Sequence, residues 1–375
     1  MGGSKSELQR LSIVAKILFM IQEDIEMESK PIVSIIINNY NYERFLAEAI
    51  DSALNQTYTN IEVIVVDDGS TDNSRNVISA YGTRIVPILK SNGGQISALN
   101  AGVEASQGEI IFFLDADDMF LPQKVEKVVE LFKQVDRESP DAMLSNYIDT
   151  INEAGQAIDI GILDTLTTKF AWNHLPEIRG RRSRLVEKGL TRLSTPEQTF
   201  QFASKYRFIP FLAMPTSGIA ITSSLAKKVF PLPSNEINYL IGADEFVVKG
   251  ASLFGNVYLT DSILTKYRIH GKNSDWHWSS NPVRLMDFVS VTQVVDGFLN
   301  SKLRLVGKKA VFSQLSSIQA KGFYREHYGS RELFELAVKV IKWHVDMKTI
   351  VFFTKTILLS ALLKFKRTKI KAVDP

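Results

Sequence analysis

The 375-residue chain contains no cysteine, which excludes disulfides, thiolate metal ligands and cysteine nucleophiles and suits a cytoplasmic protein. Charge of one sign is also lacking. The 44 basic and 41 acidic residues leave a formal charge of only +3, too little to make nucleic acid the main partner. No apolar run reaches the roughly 20 residues that a spanning helix needs. No Gly-x-Gly-x-x-Gly follows the first strand-like run, which argues against a dinucleotide oxidoreductase. A glycine-rich basic phosphate loop is missing there too, which argues against a nucleotidyltransferase. Neither a long internal repeat nor a low-complexity segment stands out. The apolar content of 45% is ordinary for a globular protein with a sizeable core, and the length exceeds one typical domain.

What is present is concentrated at the ends of apolar runs. Phe112-Phe113-Leu114 is followed at once by Asp115-Ala116-Asp117-Asp118, a buried strand emerging at an acidic turn. Carboxylates one residue apart can face one point where a chain bends, and such oxygen ligands suit Mg²⁺ or Mn²⁺ with substrate phosphates filling the remaining positions. Upstream, Ile61 to Val66 ends in Asp67-Asp68-Gly69-Ser70-Thr71-Asp72, and Ile32 to Ile37 runs into Asn38-Asn39-Tyr40-Asn41. Helical patterns (Phe45, Ala49, Ala53; Val77, Ile78, Tyr81) separate these strands. Alternating strand and helix predicts a parallel sheet with helices on both faces, whose ligands bind outside the carboxyl ends of the strands.

These segments, together with Ser52 to Tyr58, Asn92-Gly93-Gly94, Asn100-Ala101-Gly102 and Gly108-Glu109, resemble the nucleotide-binding half of a family 2 glycosyltransferase, the inverting GT-A type, over residues 33–120. Further on, Pro215-Thr216-Ser217-Gly218 resembles the acceptor-side segment. Gly242-Ala243-Asp244-Glu245 resembles the segment carrying a Glu-Asp pair, and Tyr267 to Asn273 the one whose histidine can complete a metal site. Three positions depart from the pattern: Asn38 replaces a usual proline, Leu99 a frequent arginine, and Ala243 the first acid of the pair.

The resemblance implies an α/β GT-A fold, with a mainly parallel central sheet, helices on both faces and a C-terminal helical extension. It implies a nucleotide-sugar donor, UDP-sugar first, and a sugar or lipid-linked saccharide acceptor in cell-surface polysaccharide or glycolipid synthesis. Ile37, Asn39, Tyr40 and Asn41 would clamp the nucleotide, and Asp67 or Asp68 would read its base or ribose. Gly93, Gly94, Asn100, Asp115 and Ala116 belong to the same donor site. Asp115, Asp117 and His270 would hold Mn²⁺ or Mg²⁺. Asp244 is the candidate catalytic base, with Glu245 as the fallback.

The organisation expected is an amphipathic helix over 1–30, a catalytic domain over 31–280 (nucleotide half 31–144, acceptor half 145–280) and a helical region over 281–375. In that last region, a roughly fourteen-residue apolar stretch from Ile350 to Leu363 is followed by the basic Lys364 to Lys371. It is too short to span a bilayer. Residues 349–371 instead fit peripheral contact with an anionic membrane, at its cytosolic face, or a helix packed on the catalytic domain. Between the two halves, Trp172, His174 and the run Arg179 to Arg184 read as a surface loop near the acceptor.

Overall fold

A computed structural model describes residues 30–135, 140–158, 189–206, 209, 213–234, 242–271 and 285–309. All but the last residue of the helix expected over 1–30, together with Trp172, His174, the run Arg179 to Arg184 and the segment 349–371, lie outside the described residues.

The first strand, β1 (Val33–Asn39), shows why the chain folds as layers. Val33, Ile35 and Ile37 bury on one face and Ile36 on the other, the period-two alternation of a strand covered on both sides. Helix α1 (Glu43–Leu54) lays Leu46, Ala49, Ile50 and Ala53 against the first face, a 3.6-residue stripe. Then follow β2 (Ile61–Asp68), α2 (Ser74–Ala80), β3 (Val86–Lys90) and α3 (Gln95–Ala105). Helix α3 covers the opposite face, packing Ile96 and Leu99 in the cluster that holds Ile36. β4 (Ile110–Asp115), the short β5 (Met119–Phe120) and α4 (Lys124–Phe132) complete this half.

The second half contains β6 (Ala142–Ile151), β7 (Thr191–Ser194), α5 (Pro196–Tyr206), β8 (Ile219–Thr222), α6 (Ser223–Val229), α7 (Ala243–Phe254), β9 (Asn256–Arg268) and α8 (Leu285–Leu305). Among the described residues, nine strands form one sheet in the order β3-β2-β1-β4-β8-β6-β9-β5, with β7 on β9. Pairing is parallel from β3 to β4 and again between β6 and β9. β8 runs antiparallel to both its neighbours, and β5 and β7 run antiparallel to β9. The parallel character anticipated from the sequence therefore belongs to the first four strands, and the second half is mixed. The last described helix, α8, docks on the main core: the rings of Phe298 and Phe246 meet edge to face at 5.4 Å.

This order positions the site. The chain builds outward from β1 to β2 and β3, then returns to place β4 on the other side of β1. A crevice opens at such a reversal, beyond the carboxyl ends of β1 and β4.

Candidate functional site

At that crevice, parallel register sets Asn39 beside Asp67 and Asn38 beside Asp115. Each asparagine donates from Nδ2 to the neighbouring carboxylate at 2.9 Å. Asp67 is wholly buried and also receives the Ser70 N–H at 3.2 Å and Arg75 Nε at 3.0 Å. Asp68 does a different job. Its carboxylate takes the N–H of Gly93 at 3.0 Å, the N–H of Gly94 at 2.7 Å and Lys90 Nζ at 2.5 Å, so it anchors the glycine loop. Gly94 has φ +83°, a conformation open to glycine at no steric cost. Asn41 holds φ +60° while its Oδ1 accepts the Thr71 N–H at 2.7 Å, tying the loop after β1 to the loop after β2. Tyr40, between them, is 45% exposed at the rim, whereas Ile37 is wholly buried and has only backbone to offer a ligand.

The acidic turn lies next to this. The Asp118 N–H donates to the Asp115 carbonyl at 3.0 Å, and Ala116 N–H donates to the Asn38 carbonyl at 3.2 Å. Asp117 and His270 are both buried, and His270 Nε2 lies 2.9 Å from Asp117 Oδ2. The imidazole is seated against Tyr42 and Phe45, with ring centroids 5.6 and 5.4 Å away. Burial, then the charges of Asp117, Asp115 and Asp118, hold the Tyr42 phenol well above its ordinary range. Asp118 accepts the Arg268 backbone N–H at 2.9 Å, while its Oδ2 is buried without a hydrogen-bond partner. Burial, then the charges of Asp117 and Asp115, raises its carboxyl well above the usual carboxylate range.

Sequence reasoning did not single out Arg268 or Ser217. Arg268 is wholly buried, and its guanidinium clasps the turn: Nε donates to the Asp117 carbonyl at 2.9 Å, Nη1 to the Glu153 carbonyl at 2.8 Å and Nη2 to Glu48 at 2.7 Å. Ser217 Oγ accepts the Asp115 N–H at 3.0 Å. Both residues sit inside segments that the resemblance flagged, but a buried guanidinium has no local sequence signature.

The acceptor-side pair opens α7. Asp244 and Glu245 both stand in its first turn, where the helix dipole favours negative charge. Glu245 is ion-paired with the buried Lys249 one turn on, and Asp244 Oδ1 accepts the Glu245 N–H at 2.9 Å. Gln95 links this turn to Asp115, donating from Nε2 at 2.9 Å and accepting the Ala243 N–H at 3.1 Å. Asn100 stands apart. Its amide is spent on the backbone of Leu232, at 2.9 and 2.8 Å, and it lines a cavity of about 640 Å³ with Gly108 and Ser223, at the end of β4 opposite Asp115. Among the described residues, no three histidine, aspartate or glutamate side chains form a ready metal site.

The profile of glycosyl transferase family 2 matches residues 34–191, the stretch containing the β1, β2 and β4 strand ends. Over those residues the chain resembles family 2 glycosyltransferases. An uncharacterized glycosyltransferase of Nostoc sp. is 29% identical over 319 residues, covering 83% of this chain and 88% of the relative. One of Rickettsia typhi is 45% identical over 108 residues, covering 29% of this chain and 34% of the relative, so this match spans about a third of that protein. Among solved structures, residues 1–349 of S. aureus TarS, crystallised with UDP-GlcNAc, superpose with a TM-score of 0.50 at 15% identity, over 87% of this chain and 90% of that one. That likeness concerns the fold, which is of the GT-A type. Glycosyl transfer is the role that the family 2 match and its glycosyltransferase relatives support. Among the described residues, no helix is long and apolar enough to cross a membrane.

Proposed function

We propose that this chain is an inverting, metal-dependent enzyme that moves a sugar from a UDP-sugar to a hydroxyl of a sugar or lipid-linked saccharide. The setting we infer is cell-surface polysaccharide or glycolipid synthesis at the cytosolic face of a membrane. The observation that carries the reading is the meeting of Asp117 and His270 at 2.9 Å, beside Asp115 at the strand reversal. A carboxylate and an imidazole at one buried point fit Mn²⁺ or Mg²⁺, which take few protein ligands and leave positions for substrate phosphates. Bound there, the ion would supply neutralisation of charge on the departing nucleoside diphosphate.

The chain's own residues would do the rest. Asn39, Tyr40, Asn41 and the backbone at Ile37 form one wall for the nucleotide, with Asp67 and Asp68 at its floor. Asp68 holds the Gly93–Gly94 backbone in place to approach the donor. Asp244 would take the proton from the attacking hydroxyl, and one such base suffices for a single in-line displacement with inversion. The Lys249 ion pair engages Glu245, and Asp244 remains the first candidate for the base from the family resemblance. UDP is supported by TarS, a protein of the same fold solved with UDP-GlcNAc.

The deciding experiment is release of free nucleoside diphosphate from UDP-, GDP- and dTDP-sugars without acceptor, with and without Mn²⁺, beside an Asp117→Asn control. Metal-dependent release from one donor, absent in the control, is expected. Release that ignores both metal and the Asp117 substitution would sink the reading.

A further inference from the structure

Gln95 opens α3, directly after the loop that Asp68 anchors, and both arms of its side-chain amide are used. Nε2 donates to Asp115 Oδ1 at 2.9 Å, and Oε1 accepts the backbone N–H of Ala243 at 3.1 Å. The first of these contacts spans 20 residues and the second 148. One partner ends β4 on the donor side; the other is the first residue of α7, which carries Asp244.

Each contact answers a specific need. The first N–H groups of a helix have no acceptor within it, and the N–H of Ala243, which opens α7, needs one from elsewhere. Gln95 supplies it from another element. At its other end, Asp115 Oδ1 receives Asn38 Nδ2 at 2.9 Å as well, so two neutral amides converge on one carboxylate oxygen and hold its orientation. Glutamine suits this place because the strut needs a donor at one end and an acceptor at the other. Glutamate keeps only the acceptor, and lysine only the donor.

We propose that Gln95 is a positioning residue that sets the alignment between the donor-side carboxylate Asp115 and the turn of α7 carrying Asp244. This rests on the roles assigned to Asp115 and Asp244 above. In-line transfer requires the base and the departing phosphate on opposite sides of one carbon. A displacement of about 1 Å between them costs on the order of 10²-fold in rate.

The test compares Gln95→Ala and Gln95→Glu with the wild type in two measurements: Mn²⁺-dependent hydrolysis of the donor by water, and hydrogen exchange of the Ala243 amide. Gln95→Ala is expected to lower kcat by about 10²-fold and to expose the Ala243 amide to fast exchange. Gln95→Glu still accepts from Ala243, so protection should persist, but it no longer donates to Asp115, so kcat should fall as well. Its donor KM should rise, since a second carboxylate beside Asp115 repels the diphosphate. Protection kept while kcat and KM both change is not expected of a merely structural residue. Wild-type kcat and KM in Gln95→Ala, or a glutamate variant that loses protection as alanine does, would overturn the proposal. Should the wild type hydrolyse no donor, the glycosyl-transfer reading of the site fails and exchange alone decides the strut. Protection lost with alanine and kept with glutamate supports it; protection unchanged with alanine overturns it.

Discussion

His270 Nε2 meets Asp117 Oδ2 at 2.9 Å across 153 residues of chain. β9 makes the contact possible. It pairs antiparallel with β5, setting Lys266 opposite Met119, so the residues just past its end arrive over the acidic turn just before β5. If the pair holds a divalent cation, each side chain should matter to metal dependence more than to folding. Asp117→Asn is expected to abolish Mn²⁺-dependent donor binding. His270→Ala should raise the Mn²⁺ concentration for half-maximal turnover by at least the ~10–100-fold typical of losing an outer-sphere partner. Titration of turnover against Mn²⁺ measures this, and an unchanged midpoint in His270→Ala would remove the histidine from the site.

Asp244 and Glu245 are adjacent but differently employed, so their variants should separate. Asp244→Asn should lower kcat by about 10²–10⁴-fold, the range for loss of a general base, with donor affinity by calorimetry unchanged. Glu245→Gln leaves the buried Lys249 without its charge partner. It should appear first as a stability loss of about 1–3 kcal/mol in denaturant unfolding. A larger kcat loss in Glu245→Gln than in Asp244→Asn would transfer the base role to Glu245.

Arg268 holds the turn by geometry as well as by charge. Lysine keeps the charge but cannot reach the Asp117 carbonyl, the Glu153 carbonyl and Glu48 together. Arg268→Lys is expected to cost about 2–3 kcal/mol, because buried acceptors lose their donor, and to weaken Mn²⁺ dependence through the loosened turn. A melting curve identical to wild type would show that the clasp does not hold the turn.

Alkaline stability should depend on Tyr81. Its hydroxyl lies 3.0 Å from Asp51 Oδ1 and 3.1 Å from the Ala47 carbonyl. Burial first, then the Asp51 hydrogen bond and charge, push the phenol from 10.0 up to about 12. The folded state thus favours the protonated form. Its contribution is complete below pH 10 and is lost as pH rises from 10 to about 12. Tyr81→Phe should cost about 0.5–1.5 kcal/mol at neutral pH, one hydrogen bond's worth, and should lose less on going alkaline. Tyr58 is pushed to about 12 as well, by burial and then by Glu109, so the comparison must be variant against wild type. Equal slopes of stability against pH would refute the assignment.

The apolar and basic segment 349–371 yields a prediction from sequence alone. Deleting residues 349–375 should shift the protein from a membrane fraction to the soluble one on centrifugation of a lysate, and an unchanged distribution would favour the packed-helix alternative.

Local chemistry determined a good deal of this protein before any fold was known. Runs such as Ile61 to Val66 and Ile110 to Leu114 are strands because β-branched and aromatic residues buried on both faces suit nothing else so well. Asp67-Asp68-Gly69 and Asp115-Ala116-Asp117 stop those strands because their side chains and glycine favour turns. These are short-range effects, so the sequence exposes them, and with them the alternation that places polar residues at the carboxyl ends of parallel strands. Tertiary structure alone decided which groups meet. The antiparallel β8 slips between β4 and β6, bringing Ser217 to the Asp115 amide. β9 carries Arg268 to the acidic turn, beside the His270 that the family resemblance had already assigned there, Gln95 reaches Ala243, and Asn100 turns to Leu232 instead of joining the cluster. Such pairings depend on sheet order and on the competition of each buried polar group for a partner. That competition is settled over the whole core, between residues far apart in the chain, and leaves no local pattern to read.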